Sequence, residues 1–366
     1  MSLKLLITFL TLTLTTSTYA QIFDIEVVDY DGLDAFAAVK AVVDSAVLDA
    51  KNQVNKEFPN GTPDRLMEGM ANSSVMAGKG IGTDYASNMN VFLIGGGIGA
   101  AADLEKTDGT GDSEFSGLGI APGVIVGFNL GFLNSKHLLG MDTNRLNLYF
   151  NFMSYNFQKT LNSDNGEKSE IAADMLAFGT HFRYDWIKPS GNKILGWGGV
   201  KFNFGFEYNK TDFNFKTSIK ETVNETVSGT GEIIQGTITG SPEASILAST
   251  MSIPVALSTD VQLLYFVSLY TGLGMDFNMG KASGKGDLNG NNSTIACTGG
   301  TACGTQRDVV VKPSANIDTS AKVTPFTYRA FAGLQFNLAW TRVFVQVDKS
   351  LSNEIVGATG GLRFVF

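Results

Sequence analysis

From Asn90 to its last residue the chain alternates a bulky apolar residue with a small or polar one, in about ten separate runs. Side chains of a β-strand point to opposite faces with period two, so such a run has one greasy face and one lean face. In "GLGIAPGVIVGFNLGF", Leu118, Ile120, Pro122, Val124, Val126, Phe128, Leu130 and Phe132 share one side, and Gly117, Gly119, Ala121, Gly123, Gly127, Asn129 and Gly131 the other. "NRLNLYFNFMSY" and "GGVKFNFGFEYN" repeat the pattern, the latter setting Val200, Phe202, Phe204, Phe206 and Tyr208 against Lys201, Asn203, Gly205, Glu207 and Asn209. It persists through "LAFGTHFRYDW", "SILASTMSIPVALS", "VQLLYFVSLYTGLGMDF", "PFTYRAFAGLQFNLAW" and "RVFVQVD" and finishes in the tail "GGLRFVF".

These runs approach the ~9–11 residues of a membrane-crossing strand. A soluble sandwich has strands of ~5–6 residues and would need to bury every aromatic. A water-soluble barrel with a greasy lumen fails on volume, because the bulky face does not fit inside. The small and polar face does, which turns the apolar face toward lipid. The expected fold is an all-β, antiparallel transmembrane barrel of about 10 strands, within a range of roughly 8–14.

Composition agrees. There are 42 glycines, 26 phenylalanines and only 8 prolines, and 17% of residues are charged, against ~25% in ordinary soluble domains. A formal charge of −8 argues against a nucleic-acid partner, which demands basic surface.

The N-terminal residues 1–20, "MSLKLLITFLTLTLTTSTYA", read as a secretory signal. One lysine precedes a short apolar run that ends in small residues, with cleavage before Gln21. Residues 21–89 read as a helical segment, periplasmic or folded into the lumen as a plug. Leu33, Phe36, Val39, Val43, Val47, Ala50, Val54 and Phe58 recur at helical spacing, and the helix at 33–58 is the favoured plug. Pro59 and Gly61 break it. Thr62 then caps a second helix with Pro63 at its first position, and the Gly-rich connector "MAGKGIGTDYASN" follows. Residues 90–366 form the barrel.

Loop lengths give an independent check. The odd connections run roughly 103–114, 158–170, 210–244, 281–323 and 350–355, the even ones roughly 133–143, 187–193, 258–261 and 340–341. Long loops alternating with short turns are the asymmetry of outer-membrane barrels, with the long loops outside. An even strand number puts both chain ends in the periplasm, with Trp186 and Trp340 on the periplasmic rim.

The chain therefore resembles Gram-negative outer-membrane β-barrel proteins of porin-like build. That resemblance implies that the last strand closes the barrel and that Leu362, Phe364 and Phe366 form the signal read by the barrel-assembly machinery. The helical lead-in followed by "GKGIGTDYASN" is similar to surface barrels of the leptospiral surface-adhesin kind. It transfers no site residues.

Inward glycines, Gly95, Gly97 and Gly99 and then the Gly117–Gly131 series, either admit a plug backbone or supply curvature. Arg145, His181, Arg183, Asp185, Lys201, Glu207, Arg329, Gln335, Asp348 and Arg363 are expected to line the lumen, as a self-satisfying ion-pair network or as a selectivity path. Cys297 and Cys303 are expected to pair across a small external loop. With two histidines only, and His181 lacking an evident serine partner, no enzyme activity is expected. Nor is any cofactor or metal; "DGTGD" and "DLNGNN" lack the spacing of a calcium loop. The expected partners are outer-membrane lipids, the assembly machinery, and a small solute or surface ligand. Two functions follow. One is a narrow or gated passive channel; the other is an adhesin-like interaction protein using 210–244 and 281–323.

Overall fold

The computed structural model describes residues 63–86, 89, 91–106, 113–133, 137–138, 140–162, 168–192, 194–226, 233–290, 293–298, 308–311 and 314–366. The signal sequence, the helix expected at 33–58 and the Cys297–Cys303 pairing lie outside what is described. Among the described residues one helix, α1 (Pro63–Ala77), precedes the strands and starts where Thr62-Pro63 places it.

Ten long strands follow: β1 (Phe92–Lys106), β2 (Ser113–Asn129), β3 (Leu146–Asn162), β4 (Lys168–Ile187), β5 (Leu195–Thr217), β6 (Ile233–Leu263), β7 (Val267–Gly290), β8 (Phe326–Leu338), β9 (Thr341–Ser350) and β10 (Ile355–Val365). Each pairs antiparallel with its sequence neighbours, and β10 pairs with β1 from Leu93↔Val365 to Asp103↔Ile355. The ring is closed. Closure pairs backbone groups that lipid would leave unsatisfied, although β2 and β3 pair only from Val124↔Phe152 to Asn129↔Asn147.

The terminal aromatic belongs to this closure. Val91 and Phe92 donate backbone hydrogen bonds to the Phe366 carbonyl, Phe366 donates to Phe92, and the two phenyl rings lie 6.3 Å apart. The tail is locked at the seam.

Solvent exposure is inverted relative to a soluble protein. Ile98, Phe152, Phe204, Leu257, Leu273, Val345 and Phe364 are exposed on the outer wall, while Arg183, Arg329, Arg363 and Lys201 are among the largest fully buried side chains. In β5 the alternation follows the sequence reading, with Lys201, Asn203, Glu207 and Asn209 buried.

The short connections lie together at one mouth. Phe132, Trp186, Tyr265, Phe266, Trp340 and Phe366 are exposed there, an aromatic girdle at the level where hydrocarbon meets water. The β6–β7 turn departs from expectation. It falls at Leu264–Phe266, so the residues at 258–261 continue β6. Leu264 and Tyr265 take positive φ of 51° and 58° without any glycine or asparagine. Side chains that partition into the interface replace the usual turn residues, so the position carried no turn signal.

At the opposite mouth the segments expected as loops at 210–244 and 281–323 are largely ordered strand. Strand β6 has 31 residues and β7 has 24, far beyond the ~9–11 needed to cross. Their excess pairs with residues 219–226, 293–298 and 314–322 to form a sheet continuing past the barrel.

Candidate functional site

The lumen is occupied. Residues 64–86 enter at the long-loop mouth and run down the barrel, and Met89 lies at the short-turn mouth, where β1 begins. Their contacts descend the wall in order. The Asp64 carboxylate accepts from Thr319 Oγ1 at 2.7 Å. Gly69 faces Ser116 and Gly117, Ser73 faces Gly119, Ala77 faces Gly99, and Ile81 faces Gly123. Met89 ends in a cluster with Leu93, Ile125, Tyr149 and Val365.

Three of the inward glycines accommodate this backbone. A Cβ on Gly99 would stand 2.0 Å from the Ala77 carbonyl oxygen, on Gly117 2.1 Å from the Gly69 carbonyl carbon, and on Gly119 2.2 Å from the Ser73 oxygen. Both sides of each contact are main chain and neither yields. At Gly99, Gly117 and Gly119 close approach of the plug is the reading realised, whereas Gly95 and Gly97 face the Leu362 and Gly360 carbonyls of β10 and Gly131 faces Asn144. The element that approaches is α1 with its connector.

Helix α1 is held by its apolar positions near the long-loop mouth, where Leu66, Met67, Ala71 and Val75 pack on Ile246, Ala248, Ala282 and Val323. Below Ala77 regular structure ends, and the chain has carbonyl groups to satisfy away from water. The wall supplies the donors. Thr359 Oγ1 donates to the Lys79 carbonyl at 2.6 Å, and Arg363 donates to Gly80 at 2.9 Å and Thr83 at 2.8 Å. Arg183 reaches the Asp84 carbonyl at 2.5 Å, and Lys201 the Tyr85 carbonyl at 2.8 Å. A segment without ladder partners is thus held, carbonyl by carbonyl, largely by cations of the strands.

The plug returns charge of its own. The Lys79 ammonium lies 2.6 Å from Glu207 Oε2, 2.9 Å from Ser252 Oγ and 3.4 Å from Asp276 Oδ1. Asp276 also takes Arg329 at 3.1 Å, Arg329 continues to Asp348 at 2.9 Å, and Gln346 donates to Asp348 at 2.9 Å. The Asp84 carboxylate lies 3.4 Å from Arg363, whose guanidinium stacks 3.7 Å over the Phe344 ring. Lys201 is paired with Asp260. Pairing of this kind lets so many buried charges coexist.

Most residues expected on the inner face are there. His181, Arg183, Lys201, Glu207, Arg329, Gln335, Asp348 and Arg363 are all buried. Asp185 pairs with Arg183 at 3.4 Å, while His181 Nε2 lies 3.5 Å from Glu207, so the histidine's carboxylate neighbour is Glu207. Arg145 differs. It ends the short 3-10 turn before β3, donates to the Trp186 carbonyl and lies over the Tyr184 ring, placing it on the rim. His137 sits exposed in a two-stranded hairpin of the β2–β3 connection.

Lys79, Asp84, Asp260 and Asp276 were not singled out in the sequence. The three carboxylates had a signal in an imbalance, because the expected inward set contains more cations than carboxylates and a closed lumen requires the missing anions from somewhere; Lys79 had none. Among the described residues no group of three His, Cys, Asp or Glu side chains is arranged to hold a metal.

Among the described residues two voids are water-sized. Those beside Lys79 and Asp276 and beside Met153 and Met175 each measure about 10 Å³. A larger recess of about 450 Å³ opens at the short-turn mouth between Ser190, Trp197, Asp260 and Tyr265.

A closed ring of ten lipid-facing strands around a polar, charge-paired interior defines an outer-membrane β-barrel, here with its lumen filled by its own N-terminal region. The chain belongs to the Lsa36-like family, whose model matches residues 18–366. No protein of curated function matches it in sequence. Among solved structures it is similar to the translocator domain of the autotransporter NalP from Neisseria meningitidis, at 12% identity and a TM-score of 0.31, over 76% of this chain and 90% of that one. It is also similar to the transport unit of the autotransporter AIDA-I from Escherichia coli, at 8% identity and a TM-score of 0.30, over 80% and 96%. Scores this low identify no relative, and the reading below rests on the chain's own geometry.

Proposed function

We propose that the protein is a stoppered outer-membrane barrel that anchors an interaction surface, rather than an open pore. The carrying observation is the filled lumen: residues 64–86 occupy it, Met89 lies at its short-turn end, and its charged wall residues are spent on holding them. The long-loop mouth, with β5–β7 prolonged into a sheet, is the face we assign to the cell exterior. Phe366 and the aromatic short-turn mouth are then periplasmic. In this orientation the first turn of α1, with Asp64, Arg65 and Glu68 exposed, opens outward. Pro63 and Phe366 thus lie on opposite sides of the membrane. The adhesin-like family resemblance supports a ligand on the outer sheet. A gated channel is the second reading, favoured by the polar character of the plug contacts around Lys79 and Asp84, but it requires the plug to leave.

Two measurements on one variant test this. A cysteine at Glu68, in a background with Cys297 and Cys303 changed to serine, is expected to react with a membrane-impermeant maleimide on intact cells. The same protein in planar bilayers is expected to show no steady conductance. Labelling only after the outer membrane is permeabilised would reverse the orientation, and stable channels in the intact protein would remove the stopper.

A further inference from the structure

The outer wall carries a row of cations that the plugged lumen does not explain. Lys210 of β5 pairs across the ladder with Ser249 of β6, Ser249 with Lys281 of β7, and Lys281 with Lys322 of the strand at 314–322. Lys210 and Ser249 are each flanked by buried residues, and Lys281 and Lys322 are exposed beside the buried Ala282 and Val323, so all four point outward. Strands are spaced ~4.8 Å apart, which puts the three lysine backbones within about 15 Å of each other. Lys281 and Lys322 are directly opposite, where like charges destabilise a sheet. Among the described residues, none of the three has an ion-pair partner. Lys216, farther toward the long-loop mouth, does pair, with Glu243 at 3.6 Å. The carboxylates of the next row are engaged elsewhere: Asp212 accepts from Asn214 at 3.0 Å, and Asp174 accepts from Asn156.

The row's position narrows what neutralises it. One outward position nearer the short-turn mouth the same strands present Tyr208, Met251 and Met279, and from there the apolar band is continuous through Phe204, Ile253 and Leu273. The pairing of β2 with β3 ends at Val124↔Phe152, and the next strands continue that ladder row as Phe178, Tyr208, Met251 and Met279. On each of these strands the lysine or serine is the next outward residue past that apolar band. The lysines therefore sit where acyl chains end and head groups begin. Ser249, whose hydroxyl lies 3.2 Å from that of Tyr208, adds a neutral hydrogen-bonding group between two of them.

We infer that Lys210, Lys281 and Lys322 with Ser249 form a binding site for the phosphate of a membrane lipid in the long-loop-side leaflet, its acyl chains lying on Tyr208, Met251 and Met279. Compact ammonium groups on flexible stems suit a phosphate, which accepts from several directions at once. The site does not depend on what the outer sheet binds.

Native mass spectrometry of the refolded full-length protein, released from a neutral detergent after incubation with phosphatidic acid, tests it. The wild type is expected to retain the lipid, and the Lys281→Gln/Lys322→Gln variant to retain it about tenfold less or worse. The Lys216→Gln protein is expected to match the wild type, which reports on general surface charge. Equal retention by the double variant, or an equal loss in Lys216→Gln, would overturn the site. Complete displacement by an equivalent concentration of inorganic phosphate would overturn the lipid assignment, leaving a site for free anions. A heat-dependent shift in gel mobility shows that each variant is a closed barrel before it is compared.

Discussion

A valine at Gly119 is expected to eject the helix from the barrel while leaving the barrel itself closed. The Cβ alone would come within 2.2 Å of the Ser73 carbonyl oxygen and 2.3 Å of its carbon, and the valine methyls extend farther along the same line. Overpacking a core usually costs about 1–3 kcal/mol, because neighbouring side chains repack. Here the obstruction is helix backbone, and Gly117 against Gly69 and Gly99 against Ala77 prevent α1 from sliding up or down to make room. Displacement is the remaining escape. Residues 64–86 are then exposed, so the expected outcome is rapid cleavage of that segment by a soluble protease, together with conductance that the wild type lacks. The control is Gly196→Ala, where nothing comes nearer than 3.8 Å and no effect is expected. Wild-type protease resistance in the Gly119→Val protein would mean that the helix does not rest on β2.

Lys79→Met is expected to lower stability by roughly 3–5 kcal/mol, the usual consequence of removing one member of a buried ion pair. The losses are unequal. Asp276 keeps Arg329 at 3.1 Å, but Glu207 is left with His181 at 3.5 Å as its nearest basic group. The destabilisation therefore resides mainly at Glu207, and adding Glu207→Gln should recover most of it, whereas adding Asp276→Asn should not. The check is the temperature at which the compact gel form converts to the unfolded form. An unshifted midpoint for Lys79→Met, or equal rescue by both second substitutions, would contradict the ion-pair assignment.

Much of this barrel is visible in its alternation because lipid imposes a strict demand on every second residue. The lean faces of β2 and β5, the closing strand at Phe366 and the inward positions of Arg183, Lys201, Glu207 and Arg363 all follow from that one pattern. Where the demand lapses, so does legibility. Beyond the membrane both faces of β6 and β7 meet water, alternation weakens, and residues 210–217, 233–244 and 281–290 read as loop although they are strand. At the rim the rule that turns are polar fails, because Leu264, Tyr265 and Phe266 sit in the interface.

The sequence of α1 and its connector carries little plug signal for a related reason. An apolar helical stripe, as at 33–58, marks burial in an oily core, but a barrel interior is polar. What fits there is small and hydrogen-bonding: Asn72, Ser73 and Ser74 on α1, then Lys79 to Asp84 in a stretch whose glycines suggest a linker. That connector is also the stretch by which the sequence resembled surface-adhesin barrels. In the fold it is the part most completely enclosed by the wall.

The most direct test of the filled lumen is a disulfide between plug and wall. An added Cβ at Gly357 of β10 lies 3.0 Å from Met76 Cγ. That is about the 3 Å between a Cβ and the far sulfur of a disulfide. With Cys297 and Cys303 replaced by serine, the Met76→Cys/Gly357→Cys protein is expected to oxidise to a single intramolecular crosslink that survives boiling in SDS and disappears on reduction. If both thiols instead remain free to alkylate in the folded barrel, α1 does not lie against the closing strand and the lumen is not filled in this way.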